Sequence, residues 1–134
     1  MTMGSMTEKK TIQLVDLPMS NGDKFDKDKL RMDLIPPAAI KGLAHVLEMG
    51  AAKYGDYNWY KGVEYSRLYA ACLRHLIAWW EGEDYDQESG LTHVDHAMCN
   101  LAFLCQFMQD ARFELDDRPD YEEVESDKKD LLGS

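Results

Sequence analysis

Apolar residues recur at intervals of three and four along three stretches of this sequence, which is the spacing of one buried helix face. The first helix is predicted to begin at Pro36-Pro37, since proline suits the first helical turn. It is predicted to end near Tyr54-Gly55, where glycine can cap the helix. Its predicted buried positions are Ile40, Leu43, Ala44, Leu47 and Ala51.

The second and third helices are predicted over 66–82 and 91–110. Ser66 is the expected N-cap of the second helix, and Gly82 is expected to end it. Its predicted apolar face consists of Leu68, Tyr69, Cys72, Leu73, Leu76, Trp79 and Trp80. The predicted buried positions of the third helix are Val94, Ala97, Met98, Leu101, Leu104, Cys105 and Met108.

Three long amphipathic helices with few strand signals predict an all-α bundle. Only Lys10 to Leu14 offers a candidate strand. Three helices of this length leave much apolar surface uncovered, so a fourth helix or a partner chain has to cover it. We therefore expect a bundle of about four helices that is completed by homo-oligomerisation.

Length and charge narrow the class of protein. The chain has 134 residues and a formal net charge of −10, which fits one domain and argues against a nucleic-acid polymer as partner. The segment 114–130 holds nine acids and three bases, so it contributes −6 of that charge. We predict a flexible N-terminus over 1–20, a helical domain over 21–112 and an acidic tail over 113–134 that is mobile or loosely docked.

The sequence favours a cytoplasmic protein. No apolar run approaches the roughly 18–20 residues that span a bilayer, and Met1 to Leu14 lacks the apolar core of a secretory signal. The odd number of cysteines, all within helical patterns, predicts reduced thiols in a core. They are Cys72, Cys99 and Cys105.

Histidines and acids cluster around the second and third helices. His93 and His96 are spaced to lie on nearly one helix face, and His75 and the acids of 81–86 come shortly before them. Mixed imidazole and carboxylate ligands suit Mn²⁺, Co²⁺, Fe²⁺ or Zn²⁺. The alternative is that these histidines cap helices, form hydrogen bonds between helices or lie at the surface.

Basic and aromatic residues form two further candidate sets. Bases that could bind a polyphosphate, or that simply belong to solvated surface, are Lys24, Lys27, Lys29, Arg31, Lys53 and Arg74. Aromatic side chains surround Asn58, and such a group can stack on a nucleobase and read its edge, or anchor a loop to the core. They are Tyr54, Tyr57, Trp59 and Tyr60.

Several short motifs, taken together in their order and spacing, resemble the phage dATP/dGTP diphosphohydrolase family of MazG-like nucleotide pyrophosphohydrolases. The resemblance covers about residues 22–108. The motifs are Lys24-Phe25-Asp26, Lys29-Leu30-Arg31, Leu34-Ile35-Pro36-Pro37, Gly50-Ala51-Ala52-Lys53-Tyr54-Gly55, Asn58-Trp59 with Lys61-Gly62, Arg74-His75-Leu76, Trp79-Trp80-Glu81-Gly82-Glu83, Gly90-Leu91-Thr92-His93 and His96-Ala97.

The resemblance implies a MazG-like helical fold, usually oligomeric, which uses a divalent metal to hydrolyse a purine deoxynucleoside triphosphate to the monophosphate and pyrophosphate. Some such enzymes serve phages that replace adenine with 2-aminoadenine in their DNA. MazG enzymes typically bind Mg²⁺ through Glu-x-x-Glu and Glu-x-x-Asp helices. The comparable positions here carry His75-x-x-Ala78 and His93-x-x-His96, so Mn²⁺ or Co²⁺ is an alternative to Mg²⁺.

Clustering and resemblance together assign hypothetical roles, in which a metal-activated water attacks the α-phosphorus. The expected metal ligands are His75, Glu83, Asp86, His93 and His96. The expected catalytic residues are Glu81, Glu83 and His93. The residues expected to bind the substrate are Lys24, Lys29, Arg31, Lys53, Asn58, Trp59 and Arg74.

Two other functions stay open on sequence grounds. An HD-type phosphohydrolase would release nucleoside and triphosphate, but it needs an adjacent His-Asp pair, and the chain has the reverse order at Asp95-His96. A non-catalytic helical protein that binds a partner through its acidic tail would hydrolyse no nucleotide. The three functions differ in their reaction products.

Overall fold

The computed structural model describes residues 22–122. These residues contain three α-helices, α1 (Pro37–Tyr54), α2 (Tyr65–Trp80) and α3 (His93–Gln109). Short 3-10 turns lie at Met32–Leu34, Asn58–Lys61 and Phe113–Leu115. No strand is present between residues 22 and 122, which confirms the all-α class, and the candidate strand at Lys10 to Leu14 lies outside the described residues.

The chain divides into two compact units, Met1–Asp33 and Leu34–Ser134. Within the described part of the first unit, Arg31 and Asp33 form a forked ion pair, with the Arg31 Nη2 2.7 Å from Asp33 Oδ2. The second unit contains all three helices. The acidic tail is described as far as residue 122, and Asp117 in it contacts Ser66 of α2. The predicted boundary between helical domain and tail at residue 112 stays a prediction.

Local chemistry sets the helix ends close to their predicted positions. Pro37 is the first residue of α1, and Gly55, at φ 95°, ends it by donating its N–H to the Ala51 carbonyl. The N-cap of α2 is Glu64 and not Ser66, so that prediction is wrong. Ser66 already lies in the helix, where its N–H and hydroxyl both bind the Asp117 carboxylate. An acidic residue of the tail therefore satisfies the N-terminus of α2.

The core lies between α2 and α3, which run antiparallel. Tyr65 and Leu68, at the start of α2, pack on Phe107, near the end of α3. The 3-10 turn between α1 and α2 adds Trp59, whose ring stacks on Phe103 at 4.9 Å. Partly buried side chains around this cluster extend it, and they are Val63, Phe103, Leu104 and Leu115.

The arginine that follows α3 ties this end of the bundle together. Arg112 donates hydrogen bonds to the carbonyls of Tyr60 (3.0 Å) and Lys61 (3.2 Å), and its guanidinium lies over the Phe107 ring. The loop before α2 is thereby fixed to the loop after α3.

The buried faces differ from the predicted ones. In α1 the buried residues are Gly42 and Val46, whereas Ile40 is 54% exposed. In α2 the prediction is right for Leu68 and Cys72, but the rest of that predicted face is exposed. In α3 the buried residues are His93, His96, Ala97, Cys99 and Phe107. Predicted core positions that are exposed include Ala44, Tyr69, Leu73, Leu76, Trp79, Trp80, Val94, Leu101, Cys105 and Met108.

Glycine explains the difference in α1. A Cβ atom at Gly42 would collide with the carboxylate of Asp95. The helix contact between α1 and α3 therefore runs through a residue that carries no side chain. An apolar pattern cannot detect a contact of this kind, because it records side chains and not the places where backbones approach each other.

Most of the exposed apolar residues of α2 and α3 form one stripe on each helix. On α2 the stripe consists of Tyr69, Leu73, Leu76, Ile77 and Trp80, and on α3 of Val94, Leu101, Cys105 and Met108. At about 100° per residue, each stripe is rotated by about 100° in the same sense from the face that joins the two helices. Because α2 and α3 are antiparallel, both stripes lie on the same side of the pair. Asp95 and Cys99, which face α1, are rotated in the opposite sense.

The three cysteines are all free. Cys72 and Cys99 are buried, and burial raises the pKa of the Cys99 thiol to about 11. Cys105 is exposed, which corrects the expectation that all three lie in a core. Between residues 22 and 122 no helix is long and apolar enough to cross a membrane.

Phe107 is fully buried and should be the most sensitive core position. We expect Phe107→Ala to lower the free energy of unfolding by about 3–5 kcal/mol, because it removes apolar contacts and leaves a cavity. Urea unfolding followed by circular dichroism measures this loss. Phe113→Ala is the matched control, since Phe113 is 72% exposed. Equal losses in the two variants would show that the core does not centre on Phe107.

Candidate metal centre

The loop between α2 and α3 folds back on the start of α3. Thr92 is the N-cap of α3, and its hydroxyl accepts the Asp95 N–H at 3.1 Å. Tyr85 and Thr92 form an isolated bridge, and Asp86 donates its N–H to the Leu91 carbonyl at 2.8 Å. The loop is therefore closed by backbone hydrogen bonds, which hold Asp86 near the first turn of α3.

Three histidines meet where this first turn packs against α2. His75 comes from the last two turns of α2, and His93 and His96 come from the start of α3. The rings of His75 and His96 are stacked, with their centroids 4.5 Å apart and an angle of 7° between the planes. The Nδ1 atoms of His75 and His93 lie 2.9 Å apart. His93 and His96 are buried, and His75 is half-buried.

One set of three side chains in the described residues has the arrangement of a metal site. The ligand atoms of His75, Asp86 and His96 lie within 4.8 Å of one another. Atoms bound to one ion at about 2.1 Å lie at most about 4.2 Å apart, so a small contraction would close this set around an ion. His96 Nε2 is 3.5 Å from Asp86 Oδ2, and it forms a 2.6 Å hydrogen bond with the Ser89 hydroxyl.

The protonation states of these side chains suit a cation. Burial lowers the pKa of His75 and of His96 below the ordinary histidine value, and the positive form of His96 would lower the pKa of His75 further. The Glu88 N–H, donated to the Asp86 carboxylate, lowers the pKa of that carboxyl. At neutral pH the set is therefore two neutral imidazoles and one carboxylate, which are the forms that bind metal. These ligands fit Mn²⁺, Co²⁺, Fe²⁺ or Zn²⁺.

Two of the predicted metal ligands, Glu83 and His93, are not members of this set. His93 Nε2 is 2.7 Å from Glu83 Oε1, and its Nδ1 is occupied by His75. His93 therefore contacts both Glu83 and His75. Glu81, predicted as catalytic, is the exposed C-cap residue of α2. The roles predicted for these three residues stay predictions.

The predicted cationic residues belong to both units of the chain, and Arg74 and Lys53 lie in the second unit. Arg74 is exposed beside the centre, and its charge lowers the pKa of His75. Lys53 is exposed at the end of α1, with its Nζ 5.9 Å from the centre of the Tyr54 ring. Lys24, Lys29 and Arg31 lie in the first unit, where Arg31 is paired with Asp33 and this hydrogen-bonded pairing raises the pKa of Arg31. Their predicted contact with substrate stays a prediction.

Asn58 and Trp59 line an apolar cleft of about 630 Å³. One wall is the second half of α1, from Val46 to Tyr54, and the opposite wall comes from Cys99 and Phe103 of α3. Trp59 also packs on Phe107, so it is both a core residue and part of the cleft. Both interpretations of the aromatic set, loop anchor and binding wall, therefore have a structural counterpart.

Two residues near the centre were missed in the sequence analysis. Ser89 binds His96 from the loop, but a serine before a glycine is an ordinary turn signal. Gly42 admits Asp95 against α1, and a glycine inside a helical pattern was the signal that could have indicated it.

The fold and the site together define an all-α protein with a histidine and carboxylate cluster at a helix contact. The family model described as dATP/dGTP diphosphohydrolase, N-terminal, matches residues 19–118. The chain therefore belongs to this family, which confirms the resemblance found in the sequence.

One curated relative is the dATP/dGTP diphosphohydrolase of Salmonella phage PMBT28. It is 40% identical over 83 residues, which are 62% of this chain and 28% of the relative. The chain thus matches about a quarter of that relative's length. No solved structure matches the chain.

The N-cap of α3 should contribute measurably to stability. Thr92→Val keeps the shape of the side chain but removes the oxygen that accepts the Asp95 N–H, so we expect a loss of about 1 kcal/mol in the free energy of unfolding. Thr92→Ser keeps that oxygen and should lose much less. Thermal unfolding of both variants measures the difference, and equal stabilities would contradict the capping role.

Proposed function

We propose that this protein hydrolyses purine deoxynucleoside triphosphates, dATP or dGTP, to the monophosphate and pyrophosphate. The observation that carries the proposal is the convergence of His75, Asp86 and His96 as neutral imidazoles and a carboxylate. This set lies within the part of the chain that matches the dATP/dGTP diphosphohydrolase family. The activity would change the purine deoxynucleotide pool, and we expect it in the cytoplasm.

His75, Asp86 and His96 would hold one divalent ion, with Mg²⁺, Mn²⁺ and Co²⁺ as the candidates. Such an ion supplies a bound water of lowered pKa and neutralises charge on phosphate oxygens. Arg74 lies beside the centre and would bind the triphosphate together with Lys53. Glu81 is our candidate for the residue that accepts the proton of the attacking water.

The apolar cleft fits the base of the substrate. Its volume of about 630 Å³ lies in the range of small-molecule sites, and its apolar walls carry few polar groups, as such sites do. Asn58 offers an amide that can donate to and accept from the edge of a base, and Trp59 offers an aromatic wall. In this proposal Asn58 and Trp59 contact the base of the substrate.

The spacing along α3 connects the cleft to the metal centre. Cys99 and Phe103 line the cleft, and they follow His96 by three and seven residues. At 1.5 Å per residue these positions lie about 5 and 10 Å from His96 along the helix. A sugar bridges a comparable distance between a base and its α-phosphate, so one nucleotide can reach both places.

A nucleotide screen tests the proposal. The purified chain is incubated with each of the four deoxynucleoside triphosphates and with Mg²⁺, Mn²⁺ or Co²⁺, and the products are separated by chromatography. We expect dATP or dGTP to give the monophosphate and pyrophosphate. Nucleoside and triphosphate would indicate the HD-type reaction instead. No turnover with any metal would favour a non-catalytic helical protein.

A pair of histidine variants locates the activity. His96→Asn removes a proposed ligand and should lower turnover more than about 100-fold, because loss of a ligand costs more than loss of a group that only supports one. His45→Asn is the matched control, since His45 is exposed on α1. If His96→Asn keeps full turnover, the centre described here is not the active site.

We also propose that the apolar side of the α2–α3 pair binds a second copy of this chain. The two stripes form one apolar surface on the side away from α1, and Trp80 on it is 81% exposed. A twofold axis would bring this surface of one copy onto the same surface of the other, and pairing two α2–α3 units in this way would give a four-helix bundle. The expectation of about four helices then describes the dimer.

Charged substitutions on the stripe should separate the copies. We expect light scattering to give about twice the chain mass of 15.4 kDa for the unmodified protein, and the single-chain mass for Trp80→Glu and Leu101→Glu, because a charge is costly in an apolar interface. Ile40→Glu, on α1, is the control and should keep the larger mass. An unmodified protein of 15.4 kDa, or separation by Ile40→Glu alone, would contradict this interface.

A further inference from the structure

The contact between Glu83 and His93 fixes which ring nitrogen of His93 carries a proton. A carboxylate only accepts hydrogen bonds, and Glu83 Oε1 lies 2.7 Å from His93 Nε2. His93 must therefore donate from Nε2. In the neutral imidazole the other nitrogen, Nδ1, then carries a lone pair and can only accept.

The same reasoning extends to His75. Its Nδ1 lies 2.9 Å from His93 Nδ1, and a hydrogen bond between two nitrogens needs one proton between them. Since His93 Nδ1 accepts, His75 Nδ1 donates. The neutral ring of His75 then has its lone pair on Nε2, which is the nitrogen left for a metal ion.

We infer that Glu83 and His93 are positioning residues, which set the tautomer and the ring orientation of His75 through a chain of two hydrogen bonds. The role inferred for these residues rests on the proposed metal centre, whereas the hydrogen bonds themselves do not depend on it. It gives a reason for the burial of His93, which has both nitrogens occupied by protein groups and none free for an ion. It also replaces the direct metal ligation predicted for Glu83 and His93.

The two hydrogen bonds from Glu83 through His93 to His75 have a physical consequence for the metal centre. A neutral histidine can carry its proton on either nitrogen, and the hydrogen bond that one nitrogen makes decides which of them is free to bind metal. Outer partners of this kind typically change metal affinity by about 10–100-fold. Glu83 is half-exposed, so this chain of hydrogen bonds runs from the protein surface to the buried side of the metal centre.

Nuclear magnetic resonance of the metal-free protein tests the inference directly. Long-range correlations between ring protons and ring nitrogens, recorded on ¹⁵N-labelled full chain at pH 8, identify the tautomer of each histidine. We expect the proton of His75 on Nδ1 and that of His93 on Nε2. A His75 proton on Nε2 in the unmodified protein would overturn the inference. This measurement needs neither metal nor substrate.

Variants of Glu83 test whether this chain of hydrogen bonds affects metal binding. Glu83→Ala should shift the His75 tautomer and weaken Mn²⁺ or Co²⁺ binding, measured by calorimetry, about 10–100-fold. Glu83→Gln keeps an oxygen that can accept from His93, and it should retain most of the affinity. Glu64→Ala, at the other end of α2, removes the same charge as Glu83→Ala and should leave affinity unchanged.

The outcomes separate this inference from the proposed function. If Glu83 were itself a ligand, Glu83→Gln would weaken metal binding as strongly as Glu83→Ala, and the positioning role would be wrong. An unchanged His75 tautomer in Glu83→Ala would overturn it as well. If the tautomers are as expected and the protein binds no metal, the proposed metal centre fails, whereas the chain of hydrogen bonds is supported.

Discussion

The antiparallel packing of α2 on α3 is the contact on which the rest of this structure depends. One end of it is apolar, where Phe107 meets Tyr65 and Leu68. The other end is polar, where His75 meets His93 and His96. Because both ends belong to the same pair of rigid helices, the apolar packing fixes the register that brings the histidines together. Burying His93 is tolerable because both of its nitrogens find partners.

The sequence predicted the local features of this arrangement well. Prolines and a glycine located both ends of α1, and the spacing of His93 and His96 placed both on the face where they are found. Such features depend on neighbours along the chain, so a local pattern records them. The meeting of His75 with these two residues was expected only as a cluster. Its actual geometry depends on the register of two helices, which no local pattern contains.

The buried faces were harder to predict, and the reason is physical. Both α2 and α3 carry two apolar faces, one used within the chain and one exposed, such as Leu68 and Leu73 on α2. Hydrophobic spacing combines these two faces into one wide stripe, and it did not include His93 and His96 among the predicted buried positions of α3. Ser66 shows the same limit at a helix end, since its partner Asp117 lies about fifty residues away and the sequence gives no sign of that contact.

The distribution of charged groups determines how a protein of this composition could bind a polyanion. The chain carries −10, and four arginines of the described segment already bind carboxylates close by in the sequence, namely Arg31, Arg67, Arg112 and Arg118. Arg74, which lies beside the histidines, has no such carboxylate within residues 22–122. A single guanidinium does not offset the charge of a triphosphate, whereas a bound divalent cation is the largest local charge in a site. Two neutral imidazoles and one carboxylate would leave such a cation with net positive charge, so a polyanion can be attracted locally by a molecule that repels it as a whole.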